Sequence, residues 1–304
     1  MLQQRTIISP VSTVGIGVHT GNKVQITLKP ARENTGIVFV RTDLANRPTV
    51  CATATQVSDT TLATSLSQDG VTVSCVEHLM AALWSLGIDN VYVEVNSEEI
   101  PIMDGSAAPF IYLIKSSGIR EQAKAKQFIR IRKPIEISCG DVKASLRPHD
   151  GFKASYTFVY DHHVFNRYPK FACLDFAETS FVEDVSRARS FGLARDLDQA
   201  QSVNRCLGSS LENAVGIDDY TILNSDGLRY EDEFVKHKLL DAVGDLYLLG
   251  HPILGEFIGY KSGHSSNNEL ARMLLAQPKA WELVSFEDVP EQVRSNPFLQ
   301  PTAA

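Results

Sequence analysis

Polar and apolar side chains alternate along Lys23-Val-Gln-Ile-Thr-Leu-Lys29, and Gly36-Ile-Val-Phe-Val-Arg41 follows after a turn, so both segments predict strands. From Val76 to Leu86 the period lengthens: Val76, Leu79, Met80, Leu83 and Leu86 recur at helical spacing, and Gly87 ends the helix as a left-handed terminating residue. Asn90-Val-Tyr-Val-Glu-Val-Asn96 alternates again. A turn at Pro101–Pro109 leads into a second helix over Ala107–Ser117. The polar stretch Arg120–Gln127 has no apolar period and reads as a linker.

Beyond it the order repeats. Phe128–Arg132, Glu136–Ser138 and Ala154–Tyr160 predict strands, and Phe234–Leu249 predicts a long helix with Val235, Leu239, Leu240, Val243, Leu246 and Tyr247 on its apolar side. Gly250 closes it, Ile253–Tyr260 is a strand, and Asn267–Leu275 is a last helix. Val76-Glu77-His78 and Val235-Lys236-His237 open the two long helices. This is a weak internal duplication, giving two similar α+β domains over 1–122 and 128–304, with an insertion at about 193–224 that has no counterpart in the first half.

Length supports that division, since 304 residues suit two domains better than one. Hydrophobic residues at 43% and charged residues at 21% are ordinary globular values. A net charge of −7 argues against a nucleic-acid partner and against an anionic membrane surface. The five cysteines, Cys51, Cys75, Cys139, Cys173 and Cys206, are scattered without a Cys-x-x-Cys pair, so they read as reduced residues of a cytoplasmic protein. No signal pattern opens the chain, and no apolar run approaches the roughly 18–20 residues of a membrane span.

The familiar catalytic motifs are absent: there is no P-loop, no Gly-x-Ser-x-Gly elbow and no His-Glu-x-x-His. Gly15-Ile-Gly-Val-His-Thr-Gly21 has the glycines of a nucleotide loop but neither the strand nor the spacing. What remains is His237 and Asp241, four apart on one helix face. With a third ligand such a pair holds zinc and leaves a position open for water; by spacing alone, an ion pair on a helix surface is the commoner outcome. His78 is the natural third ligand, though a lone histidine is more often a hydrogen-bonded core residue. Asp245 extends the acidic face by a turn, and Lys261-Ser-Gly-His264 is a loop that lets a histidine reach a substrate. These residues alone leave the reading at a metallohydrolase.

Longer stretches narrow it. Val76-Glu-His-Leu79, Gly87-Ile-Asp-Asn90, Ile100-Pro-Ile-Met-Asp-Gly-Ser-Ala107, Ser186-Arg-Ala-Arg189, Leu228-Arg-Tyr-Glu-Asp-Glu-Phe-Val-Lys-His-Lys238 and Lys261-Ser-Gly-His264 resemble the LpxC family, the UDP-3-O-acyl-N-acetylglucosamine deacetylases of Gram-negative bacteria. The resemblance runs from Gln4-Arg-Thr6 to Phe286-Glu-Asp288. It implies an α+β fold of two similar domains, each a small sheet layered against helices, with an inserted segment in each and the active site between them. It implies one zinc ion on His78, His237 and Asp241, Glu77 as general base, and His264 as the imidazolium that meets the oxyanion and can protonate the leaving amine. Asp245 is then the partner that orients His264, Lys238 a substrate-contacting cation, and Ser190 the hydroxyl near the substrate carbonyl.

The same resemblance implies a small-molecule substrate with three parts and the committed step of lipid A (lipopolysaccharide) synthesis. Leu197, Cys206, Ser210, Ala214 and Gly216 fall in the stretch that lines the acyl passage; Phe191, Tyr160 and Lys261 fall where the substrate is contacted. Four positions depart from the family pattern: Tyr160 replaces Phe, Ser190 replaces Thr, Gly208-Ser209 replaces Gly-Gly, and Gly216 replaces a branched residue, which implies a wider acyl passage or a shifted chain-length preference. The expected state is a monomer. The Leu299–Ala304 tail reads as a frayed end, with a signal for a regulatory protease, as in some members, as the alternative. Two competing classes stand beside this: a catalytically silent zinc- or sugar-nucleotide-binding homologue, and a metallohydrolase of this fold acting on another N-acetyl sugar.

Overall fold

The computed structural model describes residues 2–285; the 299–304 tail and the last three residues of the resemblance, 286–288, lie outside them. Strands β1 (Gln3–Ile7), β2 (Val11–Ile16), β3 (Lys23–Pro30), β4 (Ile37–Arg41) and β5 (Thr49–Cys51) come first. A small antiparallel insertion follows, β6 (Val57–Asp59), β7 (Ser65–Gln68) and β8 (Val71–Val73), and then α1 (Glu77–Ser85), β9 (Val91–Val95) and α2 (Ala108–Ser117). Inward-facing Val24, Ile26 and Leu28 on β3 alternate with outward polar residues, as the period required. Gly87 adopts φ 65° after α1, the conformation that a residue without Cβ enters at least cost.

The second half is built from β10 (Ile119–Ala125), β11 (Gln127–Ile131), β12 (Ile135–Cys139), β13 (Val142–Arg147), β14 (Phe152–Thr157) and β15 (Phe171–Asp175). After these come α3 (Phe181–Asp184), β16 (Phe191–Leu193), α4 (Ala194–Ser202), β17 (Val215–Ile217), α5 (Glu233–Tyr247), β18 (Ile253–Tyr260), α6 (His264–Leu275) and β19 (Trp281–Ser285).

The duplication is plain in the sheets. The first sheet has the order β2-β3-β9-β4-β5, its central β9 antiparallel to β3 and parallel to β4. In the second, β12, β13, β18, β14 and β15 repeat that order and those directions, with β18 in the place of β9. Each half also carries its insertion between its fifth strand and its long helix: β6–β8 in one, β16, α4 and β17 in the other. One continuous apolar core runs through both halves. Trp84 of α1 reaches the second half, edge-on to Phe152 and Phe176 at 5.2 Å. Among the described residues no helix is long and apolar enough to cross a membrane.

Three expectations are corrected. Arg120–Gln127 is no linker: most of it is β10, paired antiparallel with β1. Its buried positions are polar, Gln122 bonding the Ala31 carbonyl and accepting from Asn90, and Lys126 pairing with Asp89 at 2.8 Å. Polar side chains satisfied inside a sheet edge leave no apolar period to read. The Ala154–Tyr160 strand begins at Phe152 and ends at Thr157, because Phe158 and Tyr160 turn into an aromatic group with Phe165. The last helix starts at His264 rather than Asn267, because the Gly263 N–H donates to the Ser266 hydroxyl at 2.9 Å and so caps the first turn.

Candidate metal centre and active site

Helices α1 and α5 pack so closely that a Cβ on Gly244 would lie 2.0 Å from the Glu77 carbonyl oxygen. That contact sets the first turn of α1 against the middle of α5. Among the described residues, His78, His237 and Asp241 converge there, with ligand atoms within 4.8 Å of one another. All three are buried, which rules out the surface ion pair that His237 and Asp241 suggested by spacing. Asp241 Oδ1 lies 3.4 Å from His78 Nε2 and 3.5 Å from His237 Nε2, yet it has no hydrogen-bond partner.

The donor set fits a cation. His237 Nδ1 lies 3.0 Å from the Ala188 carbonyl oxygen, which can only accept, so the ring donates there and Nε2 keeps its lone pair. Burial pushes His237 down to about 4 against the pull of the Asp241 carboxylate, so the ring is neutral. Burial alone would raise Asp241, but the Lys238 ammonium 2.6 Å from Oδ2 holds its carboxyl well below the usual range. A buried carboxylate oxygen without a donor, facing imidazole nitrogens, is a costly arrangement unless a positive charge sits between them. Two nitrogens and one oxygen are a set suited to zinc with an open position.

Glu77 opens α1 and is buried; its Oε2 accepts the Thr64 N–H at 3.0 Å, and burial raises its pKa. His264, first residue of α6, bonds Asp245 Oδ2 through Nδ1 at 2.9 Å. Burial would lower the pKa of this imidazole, but Asp245 outweighs burial and lifts it to about 9. Asn267 Nδ2 donates to the same oxygen at 2.9 Å. Lys238 is half-buried and spans 2.6 Å to Asp241 Oδ2. Burial opposes its charge, yet the Asp241 carboxylate carries its pKa above the ordinary lysine range. A buried carboxylate with a raised pKa and a charged imidazole thus couple electrostatically to the three converging residues.

The other expected positions spread outward. Phe191 stands edge-on to His237 at 5.9 Å, and the Ser190 backbone bonds Gly105 at 2.8 Å and Val215 at 2.8 Å. Tyr160 stacks on Phe158 and bonds Asp196, in the aromatic group that includes Phe191. Lys261 is exposed and paired with Asp141 at 2.6 Å. Leu197 lies on α4, which buries none of its residues. Cys206 meets His19, its N–H 3.4 Å from Nδ1, while Ser210 bonds Asn213 and Ala214 accepts from Asn224. A Cβ on Gly216 would lie 2.5 Å from Leu211 Cδ2, so that side chain fills the space a branched residue would take and the glycine opens no extra width. Gly208 packs where a Cβ would lie 2.2 Å from the Gly17 carbonyl oxygen, and its N–H bonds Val18.

Sequence reasoning passed over Thr64, Asn267 and Gly244. The glycine inside a long helix was a legible sign of close backbone approach. Asn267 would have followed from starting α6 at His264, which puts the two on one face. Thr64, 13 residues before Glu77 in an insertion, carried no signal.

A family model described as LpxC, UDP-3-O-acyl N-acetylglycosamine deacetylase, matches residues 4–276. The chain is 55% identical over 288 residues to the UDP-3-O-acyl-N-acetylglucosamine deacetylase of Chromohalobacter salexigens, covering 95% of each chain. It is 52% identical over 288 residues to that of Marinobacter nauticus, again 95% of each. The protein of the same description from Hahella chejuensis is 50% identical over 304 residues, the full length of both.

Proposed function

The chain belongs to the LpxC family of UDP-3-O-acyl N-acetylglycosamine deacetylases, and on that premise we propose that it hydrolyses the N-acetyl group of UDP-3-O-acyl-N-acetylglucosamine with one zinc ion, releasing acetate. The observation that carries the zinc is the unpartnered Asp241 Oδ1 facing the Nε2 atoms of His78 and His237. Held by His78, His237 and Asp241, zinc would supply Lewis acidity and make water a stronger acid at neutral pH. Glu77 takes the proton from the attacking water; burial favours that transfer, because it makes the carboxylate more basic. His264, charged through Asp245, answers the negative charge that develops on the amide oxygen. Lys238 adds positive charge beside the site, and Phe191 walls the His237 side against water. Ser190 stands near the substrate carbonyl, with Tyr160 and Lys261 toward the nucleotide and Leu197, Cys206, Ser210, Ala214 and Gly216 along the acyl chain.

The reaction is the committed step of lipid A synthesis, carried out by a cytoplasmic monomer. The purified protein is expected to deacetylate the substrate, to lose activity on chelation and to recover it with zinc. Glu77→Ala is expected to keep its metal and lose about 10²–10⁴-fold in kcat. No turnover by a folded, zinc-loaded protein would overturn the proposal, and equal turnover of non-acylated UDP-N-acetylglucosamine would move it to another amide.

A further inference from the structure

We infer that Thr64 is a positioning residue of the reaction centre, setting the Asp245 carboxylate and through it the His264 imidazole, an inference that rests on the deacetylase reading above. Thr64 is buried immediately before β7, in the first-half insertion. Its main chain is bonded twice to the start of α1: the N–H donates to Glu77 Oε2 at 3.0 Å, and the carbonyl accepts the Val76 N–H at 3.3 Å. Its hydroxyl crosses to α5 and donates to Asp245 Oδ1 at 2.6 Å. The other carboxylate oxygen receives His264 Nδ1 and Asn267 Nδ2, both at 2.9 Å and both from α6. A carboxylate held at one oxygen only can swing about its Cβ–Cγ bond. Held at both, it has a fixed plane, and so does the imidazole that bonds it. With Nδ1 occupied, His264 keeps Nε2 for the reacting atoms. One residue thus references the base in the first half and the imidazolium in the second to each other. The titratable groups facing His264 are Asp245 and Asp241 from α5 and Glu77 and His78 from α1.

Thr64→Val keeps size and both main-chain bonds but removes the hydroxyl; Thr64→Ser restores it. The readouts are kcat, KM and the pH profile of the full-length zinc-loaded enzyme, with a ¹⁵N-histidine NMR titration of His264 assigned through His264→Gln. Thr64→Val is expected to lose about 10- to 100-fold in kcat, with KM changed less than about threefold, because the reacting groups are misplaced rather than the substrate lost. The His264 midpoint should rise by about half a unit or more, since a carboxylate that has lost a donor holds the imidazole proton more strongly. Thr64→Ser should stay within about threefold of the wild type, keeping the charge-assisted bond. An unmoved midpoint in Thr64→Val overturns the inference, whether kcat is unchanged or falls together with thermal stability, the latter marking a structural role only. Equal damage in Thr64→Ser overturns it too. A wild-type protein without turnover whose midpoint still moves in Thr64→Val retains the coupling and overturns the deacetylase reading instead.

Discussion

At the residue scale, the site sorts its titratable groups by environment. Glu77 and His264 lie in the same pocket, yet burial raises the one while Asp245 raises the other, so a basic carboxylate and an imidazolium coexist. Catalysis that needs both in those forms falls at each end of the pH range. As pH drops, Glu77 is protonated at a pH above the ordinary glutamate range; as pH rises, His264 loses its charge near 9. A kcat/KM profile should therefore be bell-shaped with its basic limb near 9, and His264→Ala should abolish that limb. The stability sign agrees. A histidine with a raised folded pKa contributes fully below its unfolded value and loses that contribution as pH rises toward 9, so the melting temperature should fall over that window.

At the scale of elements, the meeting of α1 and α5 decides the geometry. Gly244 lets the two backbones touch, and the Glu77 carbonyl occupies the space a Cβ would need. Gly244→Ala should force the helices apart, costing about 1–3 kcal/mol as overpacking does. It should also move His78 away from His237 and Asp241, lowering metal affinity together with the melting temperature. Thermal melts with and without added zinc would separate the two effects, and a variant with wild-type melting and zinc binding would refute this account. Helical spacing was enough to predict both helices. It was not enough to pair them, since a glycine in a helix reports a close neighbour but not which one.

At the scale of the whole molecule, the three residues that could hold a metal come from both halves of a duplicated chain: His78 from the first, His237 and Asp241 from the second. Metal binding there would tie the halves together. Chelation should lower the melting temperature reversibly, and saturating zinc at about 1,000 times its Kd should restore on the order of 4 kcal/mol. The α+β alternation, the repeat and both long helices were legible because period and punctuation are local properties of a chain. The stretches holding His78, His237 and Asp241 were legible too, and the fold brings these three side chains together. Arg120–Gln127 was misread because its core is polar, and satisfied polar groups leave no hydrophobic trace. His264 was placed in a loop because the cap that starts its helix is a hydrogen bond between Gly263 and Ser266, not an apolar period. Sequence alone determined the elements, their repetition and the chemical types available to the site. Tertiary structure alone decided which buried atoms were left without partners and that Thr64 hydrogen-bonds both Glu77 and Asp245, because such bonds form between segments whose separation along the chain says nothing of their distance in space.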